Sequence, residues 1–184
     1  MSYFKLLNDL PIYNLYDEYI RLVNEKIIPE IDDQMCINSV LHKEDNIFYG
    51  RGSLYYDWDK KKEVNGKIDV PLREVPLKES DFNILCTQFR GTLFEEIYNA
   101  LKQNYNLGRI RIMKMRPKTC LTWHQDDTIR VHFPMKTYEG CMMIVDDEVK
   151  HLSEMTWWET NTLPYHTTIN ASTKDRFHLV CVVL

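Results

Sequence analysis

The stretch His124-Gln125-Asp126-Asp127-Thr128-Ile129-Arg130-Val131-His132-Phe133 decides how the rest of the chain is read. On a β-strand, residues two apart share a face. The even positions, His124, Asp126, Thr128, Arg130 and His132, are polar and ionisable, whereas Ile129, Val131 and Phe133 are apolar. The C-terminal segment repeats the pattern, with Arg176 and His178 on one face and Phe177, Leu179, Cys181 and Val183 on the other. His166 has Thr168 and Asn170 as its same-face companions. Strand faces turned to water usually carry Lys, Glu and Thr. A His/Asp/Arg face fits a polar pocket in the mouth of a barrel.

From Gly108 onward the chain is strand-like to its end. The spacing predicts strands over Arg109–Met115, Thr122–Met135, Gly140–Val145, Thr156–Thr160, His166–Asn170 and Arg176–Leu184. Many short strands separated by polar turns indicate a sandwich or barrel. Upstream, Asn14 is an expected helix N-cap, followed at helical spacing by Leu15, Tyr16, Tyr19, Leu22, Val23 and Ile27, with Pro29 ending the run. Thr92-Leu93-Phe94-Glu95 has the pattern of a capping box. It precedes a stripe of Leu93, Phe94, Ile97, Tyr98 and Leu101, and Gly108 lies shortly after the helix. Between the helices, Leu54, Tyr56 and Trp58 alternate like a strand, and Asn65-Gly66 suits a type I′ hairpin turn. Lys60, Lys61 and Lys62 read as a solvated loop. No linker or repeat divides the chain, so the expectation is a single domain over 1–184, with helices and flanking strands over 1–107 and the β core over 108–184.

The 184 residues suffice for one domain with a real core. A net charge of -4 argues against general nucleic-acid binding. The five cysteines form no CxxC pattern. They read as reduced thiols of a cytoplasmic protein, several of them in the core. The N-terminus has no signal-peptide pattern and no stretch approaches the roughly 18 apolar residues of a membrane span, so no membrane partner is expected. Oligomeric state is not legible in the sequence.

His124 and Asp126 offer an imidazole and a carboxylate to one metal ion, and His166 supplies a third donor. Two histidines and one carboxylate leave other positions open, which is the arrangement of non-haem Fe(II) oxygenases. Arg176 is suited to fork a co-substrate carboxylate. The residues alone leave alternatives open. Asp127 replaces Asp126 if the strand bulges, and His132, His151 and His178 compete with His166. Trp123, Trp157, Trp158 and Tyr165 flank the ligands in sequence as either an apolar rim or barrel core.

Over its last two fifths, from about Met113, the sequence resembles the aspartyl/asparaginyl β-hydroxylase-like dioxygenases that use Fe(II) and 2-oxoglutarate. The resemblance is carried by Met113-Lys114-Met115-Arg116-Pro117-Lys118-Thr119, Arg130-Val131-His132, Glu139-Gly140-Cys141, and His166 with Arg176 ten residues on. It implies a double-stranded β-helix, or jelly roll, of the cupin superfamily with helices packed outside. By the same resemblance, His124, Asp126 and His166 bind iron, and Arg176 holds the 5-carboxylate of 2-oxoglutarate. Arg130 and His132 lie near the co-substrate, Met113 and Met115 line its site or pack in the core, and O2 is the oxidant. The substrate is then an amino acid, free or within a peptide or protein. Two departures matter. The animal peptide hydroxylases lack a carboxylate at the second position of the metal motif, whereas Asp126 is present here, as in bacterial relatives that hydroxylate free proline. The spacing from Asp126 to Arg130 is also shorter than in the animal enzymes. No segment before about residue 105 resembles anything recognised.

Two other functions compete. Arg109, Arg111, Lys114, Arg116 and Lys118 form a basic run before the motif, as a nucleic-acid demethylase would use against phosphates. However, Asn170-Ala171-Ser172-Thr173-Lys174-Asp175-Arg176 lacks that family's RxNxTxR signature. A non-oxidative cupin, either a zinc isomerase or a small-molecule binding module, would use the same His and Asp donors.

Overall fold

The computed structural model describes residues 2–184. Six antiparallel strands form the larger sheet. In spatial order they are β1 (Phe4–Leu7), β12 (Trp157–Thr160), β9 (Arg130–Lys136), β14 (Arg176–Val183), β7 (Leu107–Met115) and β2 (Gln34–Cys36). Facing it is a four-stranded sheet ordered β11 (Glu148–Lys150), β10 (Cys141–Val145), β13 (His166–Asn170) and β8 (Thr119–Cys120). Two antiparallel sheets closed in this way make a jelly roll, as the sequence implied. The pairs β3 (Asn38–Ser39) with β6 (Ile84–Leu85), and β4 (Lys62–Val64) with β5 (Lys67–Asp69), complete the strands.

The long strands follow from their alternation. In β14, Phe177, Leu179 and Cys181 face one way into the apolar core, beside Ile110 and Ile112 of β7 and Val131 and Phe133 of β9. Helices α1 (Leu15–Asn24) and α2 (Leu93–Asn104) cover this side of the larger sheet. They bury Leu15, Tyr19 and Leu22 from one helix, and Phe94, Ile97 and Leu101 from the other. Asn14 caps α1 as expected, accepting from the Asp17 N–H at 3.2 Å. Buried Glu18 ties the helices together by accepting from the Leu93 N–H at the start of α2.

Several expectations are corrected. Helix α1 stops at Asn24, where Lys26 takes a φ of 59°, so Ile27 is exposed rather than part of the stripe. The capping box is only half made. Thr92 accepts from the Phe94 N–H, but Glu95 reaches past it to the Gly91 N–H at 2.7 Å. Gly108 lies inside β7 and does not cap α2. A Cβ there would come within 2.9 Å of Glu79 and Val182, so its small size serves close packing. Leu54 to Trp58 is turn and a short 3₁₀ segment rather than strand, because only Tyr56 finds a bridging partner, Leu72. Asn65 and Gly66 both have positive φ, at 52° and 72°, as a type I′ turn requires. No helix among the described residues is long and apolar enough to cross a membrane.

One side chain, besides the β2–β7 pairing, ties the segment before β7 into the core. Asn38 is fully buried and donates to the carbonyls of Phe82 and Gly108 at 2.5 and 2.9 Å. It also accepts from the Ile110 N–H at 2.7 Å. Truncation would leave three backbone groups without partners in a dry setting. Asn38→Ala is expected to lower unfolding free energy by about 3 kcal/mol, measured by urea titration. A change below about 0.5 kcal/mol would mean that these bonds carry little of the anchoring.

Candidate metal centre

The regular strand expected from Thr122 begins only at Arg130. Before it the chain makes isolated contacts with β13 and the loop preceding it. His124 and His166 form a single antiparallel bridge, with N···O distances of 3.1 and 2.8 Å in the two directions. The Asp126 N–H then donates to the Thr162 carbonyl at 3.0 Å. The backbone stays extended enough for both side chains of the HxD to point inward, while Asp127 points out and is exposed.

This bridge places the two imidazoles 4.3 Å apart, centroid to centroid. One donor atom each from His124, Asp126 and His166 lies within 4.8 Å of the others. The Nδ1 of His124 is 2.7 Å from the Thr122 carbonyl, and that of His166 is 3.1 Å from the Pro164 carbonyl. A carbonyl only accepts, so each Nδ1 donates its proton there and each Nε2 is left to face the cluster, that of His166 lying 3.5 Å from the Asp126 carboxylate. Burial opposes ionisation of Asp126, but the Arg130 guanidinium counters it and the carboxyl is held below its ordinary value. Arg130 reaches Asp126 at 3.1 Å. Of the competing histidines, His132 and His178 lie deeper in the larger sheet and His151 packs against the Cys141 carbonyl. None of the three joins the cluster.

Between the sheets is a cavity of about 690 Å³. Arg176, His178, Arg130, His132, Met113 and Met115 all line it, together with the three clustered residues. Arg176 is buried, yet among the described residues its guanidinium hydrogen-bonds only His178, at 2.9 Å, and the Met115 sulfur, at 3.7 Å. Burial lowers its pKa to about 10, so it stays charged at neutral pH. Both nitrogens of buried His132 lack a hydrogen-bond partner among the described residues. A cation without a carboxylate and an imidazole without a partner, facing one cavity, suit an anionic guest.

The aromatic alternatives separate. Trp157 is core, Trp158 packs beside the Phe4 cluster, and Trp123 and Tyr165 are half exposed as near-parallel rings 6.5 Å apart. The basic run does not form one patch. Arg109 and Arg111 face the cavity, Lys114 pairs with Glu30 and Asp175, and Arg116 and Lys118 are exposed. The roles of His178 and Arg111 were not foreseen. Strand alternation placed His178 beside Arg176, but only the structure shows its ring against the guanidinium. All five cysteines are free, four of them buried.

Burial, reinforced by Arg176, holds His132 at about 3 and His178 well below its ordinary 6.5. Both rings therefore stay neutral in the folded protein while they protonate in the unfolded chain. Their stability contribution is complete above pH 6.5 and is lost as pH falls toward 3. Between pH 7.5 and 5.5 the expected loss is about 1.4 kcal/mol for each histidine. His132→Leu should remove one of these two losses and cost little at pH 7.5, as it deletes two unpartnered nitrogens. Urea titration at both pH values checks this, and an unchanged pH dependence in the variant would refute it.

Comparison with known proteins adds the family. A cupin domain from Bordetella pertussis Tohama I is 15% identical, covering 41% of this chain and 80% of that one at a TM-score of 0.37. A predicted oxalate decarboxylase from Thermotoga maritima is 13% identical over 45% and 70%, at 0.37. A cupin-2 domain containing protein from Shewanella frigidimarina is 13% identical over 41% and 70%, at 0.34. These likenesses are partial and too distant to speak to activity. No curated protein sequence matches the chain significantly. The family model for aspartyl/asparaginyl β-hydroxylase matches residues 78–184, more than half of the chain and all three clustered donors. The chain belongs to the aspartyl/asparaginyl β-hydroxylase family.

Proposed function

We propose that the whole chain acts as one Fe(II)- and 2-oxoglutarate-dependent dioxygenase domain that hydroxylates an amino acid, either free or within a peptide. The observation that carries this reading is the pairing, in one cavity, of the His124–Asp126–His166 cluster with the buried guanidinium of Arg176. Two imidazoles and a carboxylate suit Fe(II) and leave positions for a chelating keto acid and O2. When bound, the iron and co-substrate supply oxidative decarboxylation of 2-oxoglutarate to succinate and CO2, coupled to C–H hydroxylation.

The chain's own residues do the rest. Thr122 and Pro164 fix the tautomers of the two histidines through their carbonyls. Arg130 keeps Asp126 ionised and ready to coordinate. His178 orients the Arg176 guanidinium, which binds the far carboxylate of oxoglutarate as a fork. His132 offers an unshared nitrogen to the same guest. Met113 and Met115 give the guest an apolar flank.

Two outcomes test this. Anaerobic Fe(II) with 2-oxoglutarate is expected to give a weak visible charge-transfer band that His166→Ala abolishes. Absence of both the band and uncoupled succinate formation would favour a non-oxidative, zinc-binding cupin. Arg176→Ala should weaken oxoglutarate binding by about tenfold or more while metal affinity, read by calorimetry with Mn(II), stays near wild type. Equal loss of both would contradict its role.

A further inference from the structure

The cavity contains a second guanidinium that the oxoglutarate reading leaves unused. Three arginines, Arg109, Arg111 and Arg130, line its other end. Arg109 is satisfied by Glu79 at 2.7 Å and by the carbonyls of Gly50 and Gly52 at 2.6 and 2.7 Å. Arg130 is held by Asp126 and Thr128. Arg111 has one bond, from Nη1 to the Gln34 side-chain carbonyl at 2.9 Å. Its Nε is buried with no partner, and no carboxylate pairs with it among the described residues. Burial, with Arg109 nearby, lowers it to about 10, so it too stays charged at neutral pH. Arg111 is half-buried, and the nearest opposite charge, Glu79, is spent on Arg109; a cation so short of hydrogen bonds and of its own counter-ion is costly unless an anion joins it.

Strand register places it. Arg111 and His132 pair with the same residue, Val180, from opposite sides of β14. Arg176 is four residues from Val180 on that strand, roughly 13 Å away. Arg130 is one step further along from His132 and touches Asp126. Arg111 thus lies at the end of the cavity near the metal cluster, opposite Arg176. On the dioxygenase reading, oxoglutarate puts one carboxylate on Arg176 and the other at the metal, leaving none for Arg111. Gly52 and Ser53 complete the wall here and Gln34 holds Arg111 from behind it, and all three precede the family-matched segment 78–184.

We propose that Arg111 anchors a second anion subsite which takes a carboxylate of the substrate, and that residues before position 78 build its wall. This rests on the dioxygenase reading. The carboxylate belongs either to a free amino acid or to an acidic residue of a peptide, and the test separates these sources. The panel is the free L-amino acids with their carboxamides, and capped tripeptides centred on Asp or Glu with their Asn or Gln counterparts. Binding is measured by calorimetry on protein loaded anaerobically with Mn(II) and 2-oxoglutarate, and stimulation of succinate release with Fe(II). At least one carboxylate is expected to bind and stimulate, its amide twin binding about tenfold or more weaker. Arg111→Gln should weaken that carboxylate by a similar factor, and Arg111→Lys by less. An oxoglutarate Kd within twofold of wild type shows that each variant is folded. The proposal is overturned if acid and amide bind alike or if Arg111→Gln binds like wild type. It is equally overturned if no panel member binds a protein that releases succinate uncoupled. Wild-type protein that binds neither Mn(II) nor oxoglutarate overturns the dioxygenase reading itself, and this proposal with it, before any panel member is added.

Discussion

One backbone contact sets the geometry of the site. The antiparallel bridge between His124, which lies outside any regular strand, and His166, the first residue of β13, is a pair of hydrogen bonds that joins two segments forty-two positions apart. Residues opposite one another in an antiparallel pair direct their side chains to the same face. The bridge therefore brings two imidazoles to a 4.3 Å separation without help from side-chain packing. Asp126 follows because the next inward position is two residues on, and its amide is secured by Thr162. The tautomers follow as well, since each Nδ1 meets a carbonyl two residues earlier in its own segment.

The larger sheet provides the complementary surface. Its core-facing side is apolar and covered by two helices, while its cavity-facing side carries Arg111, Arg130, His132, Arg176 and His178. Such a surface is expensive to bury. Two arginines are lowered to about 10 and two histidines are held neutral, each a sign of solvent withdrawn from a charge. A fold that only had to be stable would place apolar residues here. The cost is understandable if the cavity receives anions.

Much of this was legible in the sequence because a period of two survives wherever a strand is paired along its length. Arg176 to Val183 and His166 to Asn170 lie where the alternation put them, and the polar faces are the cavity faces. The alternation misled at Thr122–Ile129, where the backbone keeps one bridge and one further backbone bond to the segment around His166. The short strands Gln34–Cys36, Thr119–Cys120 and Glu148–Lys150 went unseen, since two or three residues carry no periodic signal and exist only through their partners. Arg111 was hidden in a basic run. Its distinction from Arg116 and Lys118 is one of facing and burial, which composition does not express.

The most direct test of the account is a crystal structure grown anaerobically with Mn(II) and 2-oxoglutarate. The metal is expected on the Nε2 atoms of His124 and His166 and on Asp126, at about 2.0–2.2 Å, with the far carboxylate of oxoglutarate on Arg176. A metal held by other residues, or an oxoglutarate whose far carboxylate sits on Arg111 instead, would contradict it.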